Sequence, residues 1–403
     1  MTDTMRGEGA GLRDRMERRL GRGSRSHISL WLGEIDRVLL LLALLLIAVG
    51  LVAVAAASPA SAGRYSGGSV QFEPLYHFWR QLDWVTLAVP VLIATSMLPE
   101  RLGRRMALIG AVVFFAALAA VPLIGSEVNG ARRWIGMGIT QFQPSEFLKP
   151  FFVVATAWLL SFKAKDASLP VMAITGLITA IIAALLMMQP DFGQTIVFAL
   201  VWAILIILAG VSQRVIGGLA GVGLAGVIAA YNLYDTARLR INGFLGLEGG
   251  SDNFQAGVAH ATLTAGGLTG SGMGNGTVKL RLPEAHTDYI FSVVGEEFGL
   301  AVCAVIALLY FAIVARVLVR LLDEEDAFRL FAAAGLAAQF GVQAVVNMAV
   351  NTGLAPSKGM TLPFISYGGS SMLALSIGMG LLLAFTRRNP YLSRSSYGVR
   401  RAA

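Results

Sequence analysis

The 403-residue chain has one cysteine, four histidines and little charge: only 14% of its residues are Asp, Glu, Lys or Arg, while 56% are hydrophobic. Cys303 is alone and lies in an apolar run, which excludes an intramolecular disulfide and reads as a small core residue. No grouping of His, Asp and Glu has a clear metal-ligand spacing, so the residues specify no metal site. The scarcity of charge excludes an ordinary soluble domain, for which roughly 25% charged and 45–50% apolar residues are usual.

What fills the chain instead is apolar runs: 38–58, 83–98, 106–125, 145–161, 169–189, 193–210, 215–232, 289–320, 327–351 and 368–386. Each is near the roughly 20 residues that cross a bilayer. The second and sixth are short and the eighth is long. Runs of this kind without alternation exclude a barrel. The expected fold is therefore an all-α polytopic membrane protein of about ten transmembrane helices, with a large outward loop, 233–288, between the seventh and eighth.

Lys and Arg outnumber Asp and Glu by 32 to 24, a formal net charge of +8 that could suit nucleic acid. Their placement follows topology instead, so no nucleic-acid partner is expected. Residues 1–37 hold eight arginines, the tail after 386 holds five and no acid, and Arg101, Arg104, Arg105, Lys163, Lys165, Arg214, Arg316, Arg320 and Arg329 fall in alternate loops. By the positive-inside rule, those loops and both termini are cytoplasmic. The chain divides into a basic arm (1–37), disordered or lying on the lipid surface, a membrane domain (38–386) and a basic cytoplasmic tail (387–403). The arm is too long and polar for a signal peptide, so the first apolar run should remain as an anchor.

Polar stretches interrupt the apolar pattern on the outward side. SEVNGARRWIGMGITQFQPSEFLK (126–149) carries Arg132 and Arg133 where the positive-inside rule disfavours them, with Trp134 beside them. Guanidinium groups suit phosphate oxygens and an indole suits a sugar or headgroup, although an interfacial anchor explains the same residues. Glu146 and Lys149 are i and i+3 and can pair inside an apolar span. In MMQPDFGQT, Asp191 reads as the cap of a tight turn. GGLTGSGMGNG (266–276) lacks the preceding strand and the following lysine of a phosphate loop, and is expected to turn sharply or re-enter the membrane edge.

The stretch 279–299, KLRLPEAHTDYIFSVVGEEFG, runs from Glu284, His286 and Asp288 directly into an apolar segment. A carboxylate at a membrane boundary usually faces a water-filled cavity or a partner charge. The competing explanation is that Asp288 and Glu284 cap the next helix. If that helix reaches back to Pro283, the two carboxylates are i and i+4, and their proximity raises one pKa toward that of a base working near neutrality. Glu296 and Glu297 then lie roughly 12 Å deeper and should pair inside the bundle. NTGLAPSKGMTLPFISYGGSS (351–371), with Lys358 and Ser366, reads as a broken, non-helical entry to the last span.

Through ARRWIG…FQPSEFLK, QPDFGQ, LPEAHTDYIFSVVGEEFG and SKGMTLPFISYGGSS, in that order within 38–386, the chain resembles the SEDS family of bacterial proteins for shape, elongation, division and sporulation. Its last motif is nearer the division branch than the elongation branch. The resemblance implies a ten-helix, multi-pass glycosyltransferase of the bacterial cytoplasmic (inner) membrane, at the division septum. Such an enzyme polymerises Lipid II into glycan strands with inversion, releasing undecaprenyl diphosphate. Its implied partners are a class B penicillin-binding transpeptidase of the FtsI type and other divisome membrane proteins. The resemblance maps the family's motif aspartate onto Asp288 as the catalytic residue. It maps substrate positions onto Arg132, Arg133, Trp134 and Lys149, beside which Glu284, His286, Lys358 and Ser366 stand as further substrate-binding candidates. No cofactor is specified beyond an optional divalent cation, Mg or Mn. The rival readings are a Lipid II flippase, a noncatalytic divisome scaffold and an elongation-type polymerase.

Overall fold

The structure, a computed structural model, describes residues 27–66, 71–128, 131–136, 141–163, 166, 168–245, 247, 251–356 and 359–388. Helix α1 (His27–Glu34) leads into α2 (Arg37–Tyr65), α3 (Tyr76–Ser96) and α4 (Glu100–Ile124). A hairpin of β1 (Ser126–Val128) and β2 (Ala131–Trp134) follows, then α5 (Pro144–Lys163), α6 (Val171–Met187), α7 (Phe192–Leu208) and α8 (Gln213–Leu233). After α9 (Asp235–Phe244), α10 (Ser251–Ala265) and a 3₁₀ turn (Val278–Arg281) come α11 (Ile290–Leu321), α12 (Ala327–Asn351) and α13 (Gly369–Phe385).

All ten apolar runs are helical. Among the described residues six helices, α2, α4, α5, α8, α11 and α12, are long and apolar enough to cross a membrane. The shorter α6, α7 and α13 are apolar and carry no charged residue, and α3 carries His77, Arg80, Gln81 and Asp83 in its first half. The protein is a polytopic helical membrane protein, to which the hairpin adds a small antiparallel sheet.

Lipid gives no hydrophobic drive to helix association, so close packing has to hold the bundle. Helix α13 sits at its centre, packed by α3, α5 and α12, with Leu381 and Leu383 fully buried. Gly380 of α13 lies so near the Leu92 carbonyl of α3 that a Cβ there would stand 2.7 Å from it. Helix α8 is the opposite case: none of its residues is buried, and Val222, Leu224, Val227 and Ile228 are exposed.

The segments assigned to the cytoplasm meet at one end of the bundle. Asp36 caps α2 by accepting the amides of Val38 and Leu39, and pairs with Arg316 at 2.9 Å and Arg320 at 2.8 Å from the far end of α11. Arg320 also donates to the Thr386 carbonyl at 2.7 Å, and Arg329 joins α12 to Glu100 of α4 at 2.7 Å. Part of the basic arm is ordered here. Residues 27–34 form α1, and the buried Trp31 donates its indole N–H to Ser96 Oγ at 3.1 Å. Residues 1–26 lie outside the described residues.

The long eighth run is not one helix. Gly299 takes φ 86° and ψ 167°, breaking α11 into two pieces. The glycine-rich segment fills the break: Ser271 and Gly272 donate their amides to the carbonyls of Glu296 and Glu297, at 2.8 and 3.0 Å, and the amides of Leu300 and Ala301 go to the carbonyls of Gly267 and Leu268. Backbone groups freed by the break are thus paired, as their burial requires. Gly270, at φ 83°, presses against the backbone of Glu297, where a side chain would collide. Glu297 pairs with Lys279, both fully buried, and Glu296 accepts the amides of Val278 and Lys279 at 2.7 and 2.8 Å. The expected pairing of these glutamates inside the bundle is therefore found for Glu297, whereas Glu296 is satisfied by backbone.

Candidate active site

At the opposite end from the Asp36 cluster, residues 283–289 form a run of turns rather than an extension of α11. Glu284 has φ 52°, and α11 starts at Ile290 after an N-cap, Tyr289, that makes no side-chain capping bond. Glu284 and Asp288 are therefore not i and i+4 on a helix, and neither carboxylate caps α11. The physical reason lies in α12: the side-chain amides of Asn347 and Asn351 donate to the Asp288 carbonyl at 2.9 and 3.0 Å, taking the acceptor that a further helical turn would use.

Asp288 is half-buried, and among the described residues its carboxylate accepts no hydrogen bond. Burial and the like charge of Glu284 push its pKa up to about 7 against the opposing pull of Arg133, with Asp191 adding to the rise and Arg240 opposing it. Glu284 is tied down by Tyr65 O–H at 2.8 Å and Thr287 O–H at 2.7 Å. His286 is buried: its Nδ1 lies 2.8 Å from Ser61 Oγ, and its ring packs on His77 with centroids 4.1 Å apart. Burial, and then His77, lower the imidazole to about 3, so His286 is neutral and a poor base. Its ring is held in the packing of this turn.

The hairpin separates the two arginines. Arg132 lies on the exposed side, 3.5 Å from Glu127. Arg133 turns inward and donates to the carbonyls of Gln189 and Pro190 at 2.9 and 2.6 Å. Trp134 is half-buried next to it, paired with Ser126 across the hairpin. Asp191 caps α7 by accepting the Gln194 amide at 3.2 Å, as expected, but is also buried and accepts from Gln143 at 3.0 Å. Its burial raises the carboxyl pKa against the lowering effect of Arg133. Lys149 pairs with Glu146 at 2.8 Å, the i,i+3 pair read from the sequence, and donates to Gln343 at 2.9 Å. At 2% exposure Lys149 acts within the bundle rather than on its surface.

Ser366 is buried as well, accepting the Leu362 amide at 2.7 Å and donating to the Thr287 carbonyl at 2.6 Å. It holds the 361–366 segment against the Asp288 turn. Lys358 lies outside the described residues. The site thus draws together Asp288, Glu284 and Arg133, with Asp191 beside them, while Arg132 is directed elsewhere. Gln343, Asn347 and Asn351 were missed by a reading that followed charge; their i, i+4, i+8 spacing in an apolar helix is the signal that marks them.

Among the described residues no three His, Cys, Asp or Glu side chains come close enough to hold a metal ion. Among these residues the donor set does not fit a resident divalent cation.

Residues 36–391 match the FtsW/RodA/SpoVE family description, that of cell cycle proteins. A relative in Caulobacter vibrioides, named a probable peptidoglycan glycosyltransferase FtsW, is 39% identical over 81% of this chain and 84% of its own length. One of the same name in Nitrosomonas europaea is 36% identical over 78% and 84%. Among solved structures, a chain of a peptidoglycan synthase complex that coordinates polymerization and crosslinking superimposes with TM-score 0.72 and 29% identity, over 87% of this chain and 97% of that one. The rod shape determining protein RodA of Thermus thermophilus gives 0.64 and 27%, over 87% and 96%. With the match running through nearly the whole membrane domain, this chain belongs to the FtsW/RodA/SpoVE family.

Proposed function

We propose that this protein is a peptidoglycan glycosyltransferase that polymerises Lipid II into glycan strands for the division septum, with Asp288 as general base. One observation carries the residue assignment: the Asp288 carboxyl neither caps α11 nor, among the described residues, accepts a hydrogen bond, yet it is held near Glu284 and Arg133 with its pKa raised to about 7. A base with that pKa is matched to neutral pH.

In the reaction the acceptor sugar's hydroxyl loses its proton to Asp288 as its oxygen attacks the anomeric carbon of the donor. The bond to the donor's diphosphate breaks with its electron pair, giving undecaprenyl diphosphate and an inverted glycosidic linkage. Diphosphate is a good leaving group, so a second carboxylic acid is not required. Arg133 supplies positive charge beside the reacting carboxylate; its bonds to two neutral carbonyls fix the guanidinium without cancelling its charge. A magnesium or manganese ion fits this scheme only as a companion of the diphosphate.

In this reading the Asp36 end faces the cytoplasm, both termini lie there, 233–288 lies outside, and the protein resides in the cytoplasmic membrane with all ten helices spanning it. A class B penicillin-binding transpeptidase works beside it. Purified protein given Lipid II in detergent should form polymer, where no second leaflet exists to receive a flipped lipid. Lipid II translocation in vesicles without polymer in either setting would instead make it a flippase.

A further inference from the structure

We propose that Asn351 and Asn347 are positioning residues for the reaction: their buried amides hold the 283–289 turn open and so aim the Asp288 carboxylate. The inference rests on the reading of Asp288 as base. In a continuous helix the carbonyl of residue 288 would accept the amide of residue 292. The Asn351 side chain stands between those two groups. Its Oδ1 accepts the Ser292 amide at 3.1 Å and the Ser292 hydroxyl at 2.8 Å, while its Nδ2 donates to the Asp288 carbonyl at 3.0 Å.

Asn347 donates to the same carbonyl at 2.9 Å and to the Met360 carbonyl at 2.6 Å. Both lone pairs of the Asp288 carbonyl are then engaged. The second bond matters for the carboxylate itself. Met360 follows Gly359, whose position is so near the carboxylate that a Cβ there would lie 3.3 Å from Asp288 Oδ2. Asn347 thereby fixes the backbone on two sides of one carboxylate. Asn351 is fully buried and Asn347 nearly so, which leaves neither amide room to reorient.

With Leu at 351 the Ser292 amide keeps only its bond to the Tyr289 carbonyl, and the Asp288 carbonyl, still held by Asn347 through one lone pair, has the other free to accept that amide. Helix α11 can then wind back through Asp288, and each residue added to a helix turns by about 100°. Such a change re-aims the carboxylate while leaving the hairpin, Arg133 and the rest of the substrate surface in place.

The test measures kcat, KM for Lipid II and the pH–rate profile of the full chain in detergent. The variants are Asn351→Leu, Asn351→Asp, Asn347→Leu and, in parallel, Asp288→Asn. Asn351→Leu should lower kcat about 100-fold, the loss typical of a 1 Å misplacement, with KM little changed. The acidic limb of its pH profile should move, because the burial of Asp288 and its distance from Glu284 both change. Asn351→Asp keeps the acceptor for Ser292 and loses the donor to Asp288, so it should fall between wild type and the Leu variant. If Asn351→Leu does not accumulate, the test rests on Asn347→Leu, with the same expectation, and on the intermediate loss in Asn351→Asp. Folded variants with kcat near wild type, or with reduced kcat and an unmoved limb, would overturn the positioning role. Full activity in Asp288→Asn would overturn the base assignment instead.

Discussion

Arg132 and Arg133 are neighbours on β2 yet point to opposite sides of the hairpin, Arg132 toward the exposed Glu127 at 3.5 Å and Arg133 toward the Gln189 and Pro190 carbonyls. Successive strand residues alternate faces, so only one of a consecutive pair can serve a single site. Arg133→Gln should raise the KM for Lipid II and slow turnover. Arg132→Gln should do little, since exposed ion pairs are worth about 0–1 kcal/mol. Arg133→Lys should be intermediate, keeping charge while losing the fork that spans two carbonyls. Equal losses at 132 and 133, measured by steady-state kinetics, would contradict this division.

Asp288→Asn keeps the shape of the side chain but cannot take a proton at neutral pH. Polymerisation should fall by about 10²–10⁴-fold, the usual contribution of a general base. Expression and thermal melting should persist, because the carboxylate caps no helix. A gel assay of glycan products together with a melting curve checks both halves.

With Asp288 raised to about 7, the rate should climb as pH rises through neutrality and level off above it. Of the groups acting on it, Glu284 and Asp191 push the pKa up while Arg133 and Arg240 pull it down. Glu284→Gln should therefore move the limb to lower pH, and Arg133→Gln to higher pH. Stability runs the other way. A carboxyl that ionises less readily in the folded state than at its ordinary value of 3.8 costs stability as pH rises from about 4 to about 7. Asp288→Asn should thus melt higher than wild type at pH 8 and nearly level with it at pH 4.

Lys279 and Glu297 form a fully buried pair at the broken helix. Removing one partner strands a charge, at a cost of about 3–5 kcal/mol. Lys279→Met should lower the melting temperature in detergent markedly, and Lys279→Met with Glu297→Leu should recover part of the loss. A single variant as stable as wild type would mean that water reaches the pair.

Much of this architecture could be read from the chain because hydropathy is a local property: the ten apolar runs are helices, and Glu146 and Lys149 pair as their spacing suggests. The rest depends on groups distant in sequence. Pro283 looked like a helix start, but Asn351, far along the chain, takes the backbone bonds that such a start would need. Gly299 passes unnoticed in an apolar run, since its φ is imposed by the glycine-rich segment packed against it. Lys279 is buried because its partner sits eighteen residues later. His286 and Ser366 have the chemistry of ligands, and the fold uses both as fasteners.

The break at Gly299 bears on how the protein is made. Uninterrupted, the 32 residues of α11 would be about 48 Å long, well beyond a hydrocarbon core of about 30 Å, and would carry Glu296 and Glu297 toward lipid. Everything that satisfies those carboxylates, from Gly274 to Lys279, precedes them in the chain. Their partners have thus already left the ribosome when the glutamates emerge. The polar knot can close during synthesis, before the last two helices exist.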